Sequence, residues 1–132
     1  MSKYYTPSIE EFHVGFEYRV ETEAIGSTYM KESVIKDADD IEQIFKWFPE
    51  FDIEVKHLDR EDIESLGFVY DRTYGGLNED MFKINDGDLI LDCDYDEKYC
   101  RIYWGGDGDV TRFSGTIKNK SELKRILKQL GI

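Results

Sequence analysis

The chain has few cysteines, few prolines and no long apolar run, and each scarcity excludes a class of protein. Two cysteines among 132 residues are too few for a disulfide scaffold. No apolar run approaches the roughly 20 residues that a membrane helix needs, and the first residues do not have the pattern of a signal peptide. Only Pro7 and Pro49 interrupt the chain, so no Pro-rich linker divides it. A single domain over residues 1–132 is therefore predicted.

Positive charge is also scarce. The 17 Lys and Arg residues against 29 Asp and Glu residues give a formal charge of −12, which disfavours general binding to nucleic acid or anionic membranes because phosphates would be repelled. A hydrophobic content of 40% with 14% aromatic residues argues against disorder. We therefore expect an acidic, folded protein of the cytoplasm. The basic residues concentrate near the end, at Lys118, Lys120, Lys124, Arg125 and Lys128.

Hydrophobic periodicity predicts strands and one helix in the first part of the chain. Apolar residues alternate over 12–20, which predicts a half-buried strand, and 29–35 is its predicted hairpin partner. A helix over 39–48 is predicted to begin with a capping box at Asp39, and a short strand follows over 51–55.

A second helix is predicted to begin at Asp59, its N-cap, and to end at Gly67. From 68 to 117, strands alternate with turn signals, as in an antiparallel meander. A last helix, capped by Ser121, carries an apolar stripe made of Leu123, Ile126, Leu127 and Leu130. The predicted fold class is α+β, a single compact domain with a mainly antiparallel sheet and about three short helices.

One hairpin of the meander can be registered from the sequence. A four-residue loop over 95–98 places Cys93 opposite Cys100 and Asp92 opposite Arg101. The apolar residues of both strands then share one face, whereas a shift by one residue would place Leu91 opposite Arg101. We therefore expect both thiols to be buried and reduced.

Three stretches, YTPSIEEFHVGFEY (5–18), LDREDIESLGF (58–68) and GTIKNKSELK (115–124), resemble a family of small uncharacterised proteins encoded by tailed bacteriophages and their gut-bacterial hosts. They cover about a quarter of the chain. The resemblance implies a phage or phage-derived origin and favours a small accessory protein that binds something in the host. It implies no activity and no catalytic residue.

The carboxylates of Asp92, Asp94 and Asp96 have the spacing of the start of a calcium loop. An EF-hand requires Gly at its sixth position and Glu at its twelfth, whereas Glu97 and Tyr103 occupy these places. A weak divalent-cation site is one interpretation, and a solvated loop that keeps the sheet edge soluble is the favoured one. The two histidines, His13 and His57, lack the spacing of a zinc site. No cofactor and no metal site are predicted.

The surplus of aromatic residues carries the functional hypothesis. Trp47, Tyr99 and Tyr103 fall outside the predicted apolar stripes, and Arg101 shares the outer face of the hairpin with both tyrosines. Exposed Tyr, Trp and Arg are typical interface anchors, although they also fit a second core layer. The predicted binding residues are Trp47, Tyr99, Arg101, Tyr103, Asp92, Asp94 and Asp96.

The leading hypothesis is a non-catalytic phage-type accessory protein in the host cytoplasm. It would bind a host protein with a basic surface, plausibly an antiviral defence component, and inhibit it by occupancy, with mimicry of nucleic acid as the sharper version. A minor virion or assembly protein that self-associates is an alternative. A small carboxylate- or metal-dependent hydrolase is another, disfavoured because no motif brings catalytic groups together.

Overall fold

A computed structural model describes residues 3–47, 53–75, 78–84, 88–105 and 110–132. By its backbone contacts the chain divides into two compact units, Met1–His57 and Leu58–Ile132. The α+β class, the antiparallel strands and the three helices are confirmed. The extent of the domain, residues 1–132, stays a prediction.

The first unit contains a four-stranded antiparallel sheet in the order β1-β4-β2-β3. Its elements are β1 (Tyr4–Tyr5), a 3₁₀ turn (Ile9–Glu11), β2 (Glu17–Ala24), β3 (Ser27–Val34), α1 (Ala38–Trp47) and β4 (Ile53–Lys56). Its buried core consists of Phe12, Phe16, Ile35, Ile44, Ile53 and Val55.

Two predicted boundaries in this unit are wrong. The strand expected over 12–20 begins only at Glu17, because Gly15 has a positive φ of 93° and Phe16 closes a turn onto the His13 carbonyl at 3.0 Å. Phe12 and Phe16 are nevertheless buried. The first turn of α1 is capped by Asp37 rather than Asp39, since the Asp37 Oδ1 accepts the Asp40 N–H at 3.0 Å. The helix end predicted near 48 and residues 51–52 lie outside the described residues.

The second unit contains a five-stranded meander in the order β5-β6-β7-β8-β9. Its elements are α2 (Arg60–Ser65), β5 (Val69–Thr73), β6 (Glu79–Ile84), β7 (Leu89–Asp94), β8 (Tyr99–Trp104), β9 (Val110–Thr116) and α3 (Lys120–Gln129). One face of this sheet forms a buried core with the stripe of α3, in which Leu123 and Leu127 are buried and Ile126 and Leu130 partly buried. The predicted apolar stripe is thus part of the core of this unit.

The caps of α2 and α3 show what local sequence decides. Asp59 caps α2 as predicted, accepting the Asp62 N–H at 2.9 Å, and Gly67 follows with a φ of 98°. The predicted cap of α3 is wrong. Asn119 is the N-cap and accepts the Glu122 N–H at 2.8 Å, whereas Ser121 lies buried inside the helix.

The predicted hairpin register is confirmed. Cys93 pairs with Cys100 and Asp92 with Arg101 across β7 and β8, and both cysteines are free and buried in the core. Because strand residues alternate between faces, this register places the charged and aromatic residues of the hairpin on the face opposite the α3 stripe. We call that face, on β6, β7 and β8, the open face; its residues are Glu79, Met81, Lys83, Ile90, Asp92, Asp94, Tyr99, Arg101 and Tyr103.

Candidate functional site

The open face brings together five of the predicted binding residues. Cross-strand pairing aligns Glu79 with Asp94 and Asp94 with Tyr99 in one row. The next row runs from Met81 through Asp92 to Arg101. The carboxylates therefore gather on β6 and β7, and the arginine and the exposed tyrosine lie beside them on β8.

A hydrogen-bonded set lies at the centre of the open face. The Tyr74 hydroxyl donates to Asp92 Oδ1 at 3.2 Å, and the Tyr103 side chain also hydrogen-bonds to Asp92. Burial raises the pKa of the Asp92 carboxyl, although these hydrogen bonds and the charge of Arg101 act in the opposite direction. Burial and the charge of Asp92 raise the pKa of Tyr103 to about 12. Both hydroxyls therefore stay protonated as donors at neutral pH.

Tyr103 is not the exposed anchor that the sequence indicated. Its side chain is only 8% exposed, with the Arg101 guanidinium stacked over its ring at 4.2 Å. The Arg101 Nε also donates to the Thr111 hydroxyl on β9 at 3.0 Å. Tyr103 therefore belongs to a second packed layer, and it supports Arg101.

Tyr99 is the exposed aromatic residue among the described binding residues. It is 46% exposed, and its hydroxyl hydrogen-bonds to Ser114 on β9. Its ring is thus held in place on the sheet while much of its surface remains accessible, as for the aromatic anchors of protein interfaces.

The carboxylates of the open face are close enough to repel one another. Burial, and then the negative charges of Asp92 and Asp94, raise the pKa of Glu79. Within the part of the chain that the structure describes, no carboxylate lies in ion-pair contact with Arg101. At neutral pH this side of the sheet therefore carries negative charge that its neighbours compensate only partly.

The acidic turn between β7 and β8, interpreted from the sequence as a solvated loop, is stabilised by hydrogen bonds to its own carboxylates. Asp94 ends β7, and its Oδ1 accepts the N–H groups of Asp96 and Glu97 at 3.0 and 3.1 Å. Asp96 accepts a hydrogen bond from the Asn78 side chain at 3.1 Å. These two carboxylates fix the turn between β7 and β8, so neutralising Asp92, Asp94 and Asp96 together would perturb folding as well as charge.

Trp47 is the last residue of α1 and belongs to the first unit. Its side chain lies outside the described residues. Its predicted role in binding stays a prediction.

A buried polar cluster on the other face of the meander was not foreseen from the sequence. Asp80 on β6 is 2% exposed and accepts hydrogen bonds from Arg60 Nε at 3.0 Å, from Thr73 at 2.6 Å and from Tyr95 at 2.9 Å. Burial opposes ionisation, but these donors outweigh it and hold the pKa of Asp80 below its usual range. The sequence did contain a signal for this cluster. Asp80 and Phe82 are two residues apart on β6 and therefore lie on the same, inward face of the strand.

Metal-ligating side chains do not cluster in the part of the chain that the structure describes. No group of three His, Cys, Asp or Glu side chains within them has a geometry that could hold a metal ion. His13 lies in the turn before β2, where its Nδ1 hydrogen-bonds to the Glu11 carbonyl at 2.9 Å. None of the helices in the described ranges has the length and apolar character of a membrane span.

In comparisons with known proteins, no family model, no curated protein and no solved structure matches this chain.

Proposed function

We propose that this chain is a non-catalytic accessory binding protein of phage type that acts in the host cytoplasm. It engages a host protein with a basic surface, a component of antiviral defence being the favoured class of target, and inhibits that protein by occupancy. The observation that carries the proposal is the composition of the open face. Partly buried carboxylates, two of which have raised pKa values, lie beside an exposed tyrosine and a stacked arginine.

The electrostatics of the open face favour a cationic partner. Glu79 and Asp92 are harder to ionise than ordinary carboxyls because of burial, and Glu79 also because of its neighbours. A Lys or Arg side chain brought within a few ångströms would favour their charged forms and relieve the repulsion. The formal charge of −12 adds long-range steering toward basic surfaces.

The packing of the face favours a protein rather than a small molecule. Tyr99 and Arg101 are held in place by hydrogen bonds to Ser114 and Thr111 on the neighbouring strand. Side chains fixed before binding lose less conformational entropy in a complex, and Tyr and Arg are the residue types that most often dominate interface energies. If the partner is a nucleic-acid-binding protein, the carboxylates take the place of phosphates, and DNA or RNA will compete for the same surface.

A neutralised open face tests the proposal. Capture from a host lysate with wild-type protein identifies basic partners, and association rates are then measured over a salt series. We expect the rate to fall as salt rises, because screening acts mainly on long-range approach. The double variant Glu79→Gln with Asp92→Asn should slow association.

The matched control removes the same charge elsewhere. Glu42→Gln with Glu64→Gln changes two exposed carboxylates on α1 and α2, and it should leave the association rate closer to that of the wild type. Equal rates for the two double variants would remove the open face from the proposal. Association that does not depend on salt would remove the steering argument.

A further inference from the structure

The two cysteines of the chain lie together inside the second unit. Cys93 on β7 pairs with Cys100 on β8, each is 1% exposed, and both belong to the core that the meander forms with α3. Both thiols are free, and their Sγ atoms are 2.7 Å apart. The core of this unit thus holds two thiols in direct contact, and neither the open face nor the proposed function uses them.

The backbone hydrogen bonds place the two cysteines at the closer kind of cross-strand position. Opposed residues of antiparallel strands alternate between hydrogen-bonded pairs and non-hydrogen-bonded pairs. The Gly105 N–H donates to the Asp88 carbonyl at 2.8 Å, so these two residues, just beyond the last pair of β7 and β8, form a hydrogen-bonded pair. Counted five residues along the unbroken register from Asp88, Cys93 and Cys100 form a non-hydrogen-bonded pair.

Hydrogen bonds to the outer neighbours of the hairpin agree with this assignment. On the β6 side, the Tyr95 N–H donates to the Asn78 carbonyl at 3.0 Å, and on the β9 side, the Ile117 N–H donates to the Lys98 carbonyl at 2.9 Å. By the same alternation, the backbone of each cysteine bonds to its outer neighbour, β6 for one and β9 for the other. The two cysteine backbones therefore share no hydrogen bond, and only their side chains meet.

The geometry of a non-hydrogen-bonded pair fits a disulfide. The Cα atoms of such a pair lie about 4.5 Å apart, within the range of about 4.4–6.8 Å that disulfides require. The two Sγ atoms, now 2.7 Å apart, need to approach by only about 0.65 Å to reach the bond length of about 2.05 Å. The bond can therefore close without any change in the strand register.

We propose that Cys93 and Cys100 form a reversible disulfide across β7 and β8 when the chain meets a low-molecular-weight disulfide such as oxidised glutathione. One protein thiolate attacks a glutathione sulfur, the S–S bond of oxidised glutathione breaks, and one reduced glutathione leaves. The second protein thiol loses its proton and displaces the other glutathione, which forms the bond between the two cysteines. The protein gives up two electrons and two protons, and oxidised glutathione takes them up as two thiols.

Burial makes this reaction slow but favours its product. The contact with Cys100 and burial raise the pKa of the Cys93 thiol, and glutathione cannot reach a side chain that is 1% exposed, so the exchange requires local opening of the core. Only the compact disulfide fits the space of the two thiols when the core closes again, whereas a mixed disulfide with glutathione does not. Closing of the core therefore drives the second step, and it then protects the finished bond from reductants.

The disulfide stabilises the fold and leaves the open face unchanged. It closes a loop over residues 93–100, and a cross-link of this kind lowers the conformational entropy of the unfolded chain. Because strand residues alternate between faces, the bond lies on the core side and the pairing of Asp92 with Arg101 is kept. The two cysteines thus adjust the stability of the second unit to the redox state of its surroundings, and this inference does not rest on the proposed function.

Equilibration of the full chain in buffers of reduced and oxidised glutathione tests the proposal. Free thiols are alkylated after denaturation, and mass spectrometry then separates the internal disulfide, which takes up no alkyl group, from the reduced chain and from mixed disulfides. We expect the internal disulfide as the main oxidised product, with an exchange equilibrium constant about fiftyfold larger in native buffer than in urea, because the same factor measures how far so short a cross-linked loop stabilises the fold. Equal constants in native buffer and in urea, or mixed disulfides as the main product, would overturn the proposal.

Urea unfolding of single-thiol variants provides the matched control. The urea midpoint of the wild type should rise on oxidation and return on treatment with dithiothreitol, whereas Cys93→Ala and Cys100→Ala each keep one thiol and should show no such rise. If neither variant folds, the comparison of oxidised with reduced wild type still decides, since it needs no substitution. A wild-type midpoint that oxidation leaves unchanged, or an equal rise in a single-thiol variant, would overturn the proposal.

Discussion

Replacing Asp80 should destabilise the second unit more than any other change of a charged residue in the meander. In Asp80→Ala, three side chains lose their acceptor: Arg60, Thr73 and Tyr95. Arg60 is half exposed and regains water, and Thr73 keeps the Tyr70 hydroxyl as a partner at 2.6 Å. Tyr95 is partly buried in the core, so the cost is concentrated there and in the charged pair.

The expected loss of stability in Asp80→Ala follows from the typical energies of these interactions. Hydrogen bonds to a charged group contribute about 1.5–3 kcal/mol, and a buried donor left without a partner costs about 1–3 kcal/mol. Removing one partner of a buried ion pair costs about 3–5 kcal/mol. Since Arg60 can be resolvated, we expect Asp80→Ala to lower the free energy of unfolding by about 3 kcal/mol. Tyr95→Phe removes one donor only and should cost about 1 kcal/mol.

Urea unfolding followed by circular dichroism, repeated at several pH values, measures both effects. The folded-state pKa of Asp80 is lowered, so its stabilisation is fully present above the unfolded pKa of about 3.9 and is lost as pH falls through the folded value. The gap between wild type and Asp80→Ala should therefore narrow below about pH 4. A loss under about 1 kcal/mol at neutral pH would refute the view that this cluster stabilises the fold.

Three further perturbations test separate parts of the structure. Leu127→Ala should lower the free energy of unfolding, measured in urea, by about 2–5 kcal/mol because Leu127 is buried in the core. A loss under about 1 kcal/mol, accompanied by loss of oligomerisation, would assign the stripe to a subunit interface instead. The contact with Cys100 and burial raise the pKa of the Cys93 thiol. Thiol titration of native protein should therefore be slow and become fast on denaturation. Rapid labelling of native protein would contradict the burial of the two cysteines in the core. Because the pKa of Glu79 is raised in the folded chain, ionisation of this carboxyl destabilises the fold as pH rises above about 4.3. Glu79→Gln should therefore be more stable than wild type at pH 7 and equally stable below about pH 4. A lower urea midpoint of the variant at pH 7 would contradict the repulsion among the carboxylates of the open face.

The sequence predicted those parts of the fold that depend on repeated local signals. The β7–β8 register follows from a turn of fixed length and from apolar alternation on both strands, and a shift by one residue would have placed Arg101 opposite the core residue Leu91. The stripe of α3 follows from helical spacing in the same way. Both depend on several residues that agree with one another.

The errors fall where several residues compete for one role. Asp37 and Asp39 can each cap α1, and Asn119 and Ser121 can each cap α3, so tertiary packing decides which one does. Gly15, with its positive φ, delays the start of β2 to Glu17 in a way that hydrophobicity does not show. The grouping of antiparallel strands into two sheets depends on long-range contacts that periodicity does not report.

The open face shows the same division. Its strand register could be predicted, and with it the shared face of Asp92, Asp94, Tyr99, Arg101 and Tyr103. The burial of Tyr103 could not be predicted, because it depends on how Arg101 lies over the ring and on the hydrogen bond to Asp92. Glu79 was missed because β6 was not registered against β7 from the sequence.

Carboxyl footprinting of the bound protein tests the central claim most directly. Carbodiimide and glycine ethyl ester modify accessible carboxylates, and mass spectrometry reports the extent of modification at each one in the free chain and in complex with the captured partner. The account predicts that the partner protects Glu79 and Asp94, while Glu42 and Glu64 react to the same extent in both states. Protection of Glu42 or Glu64, with Glu79 and Asp94 unchanged, would contradict binding through the open face.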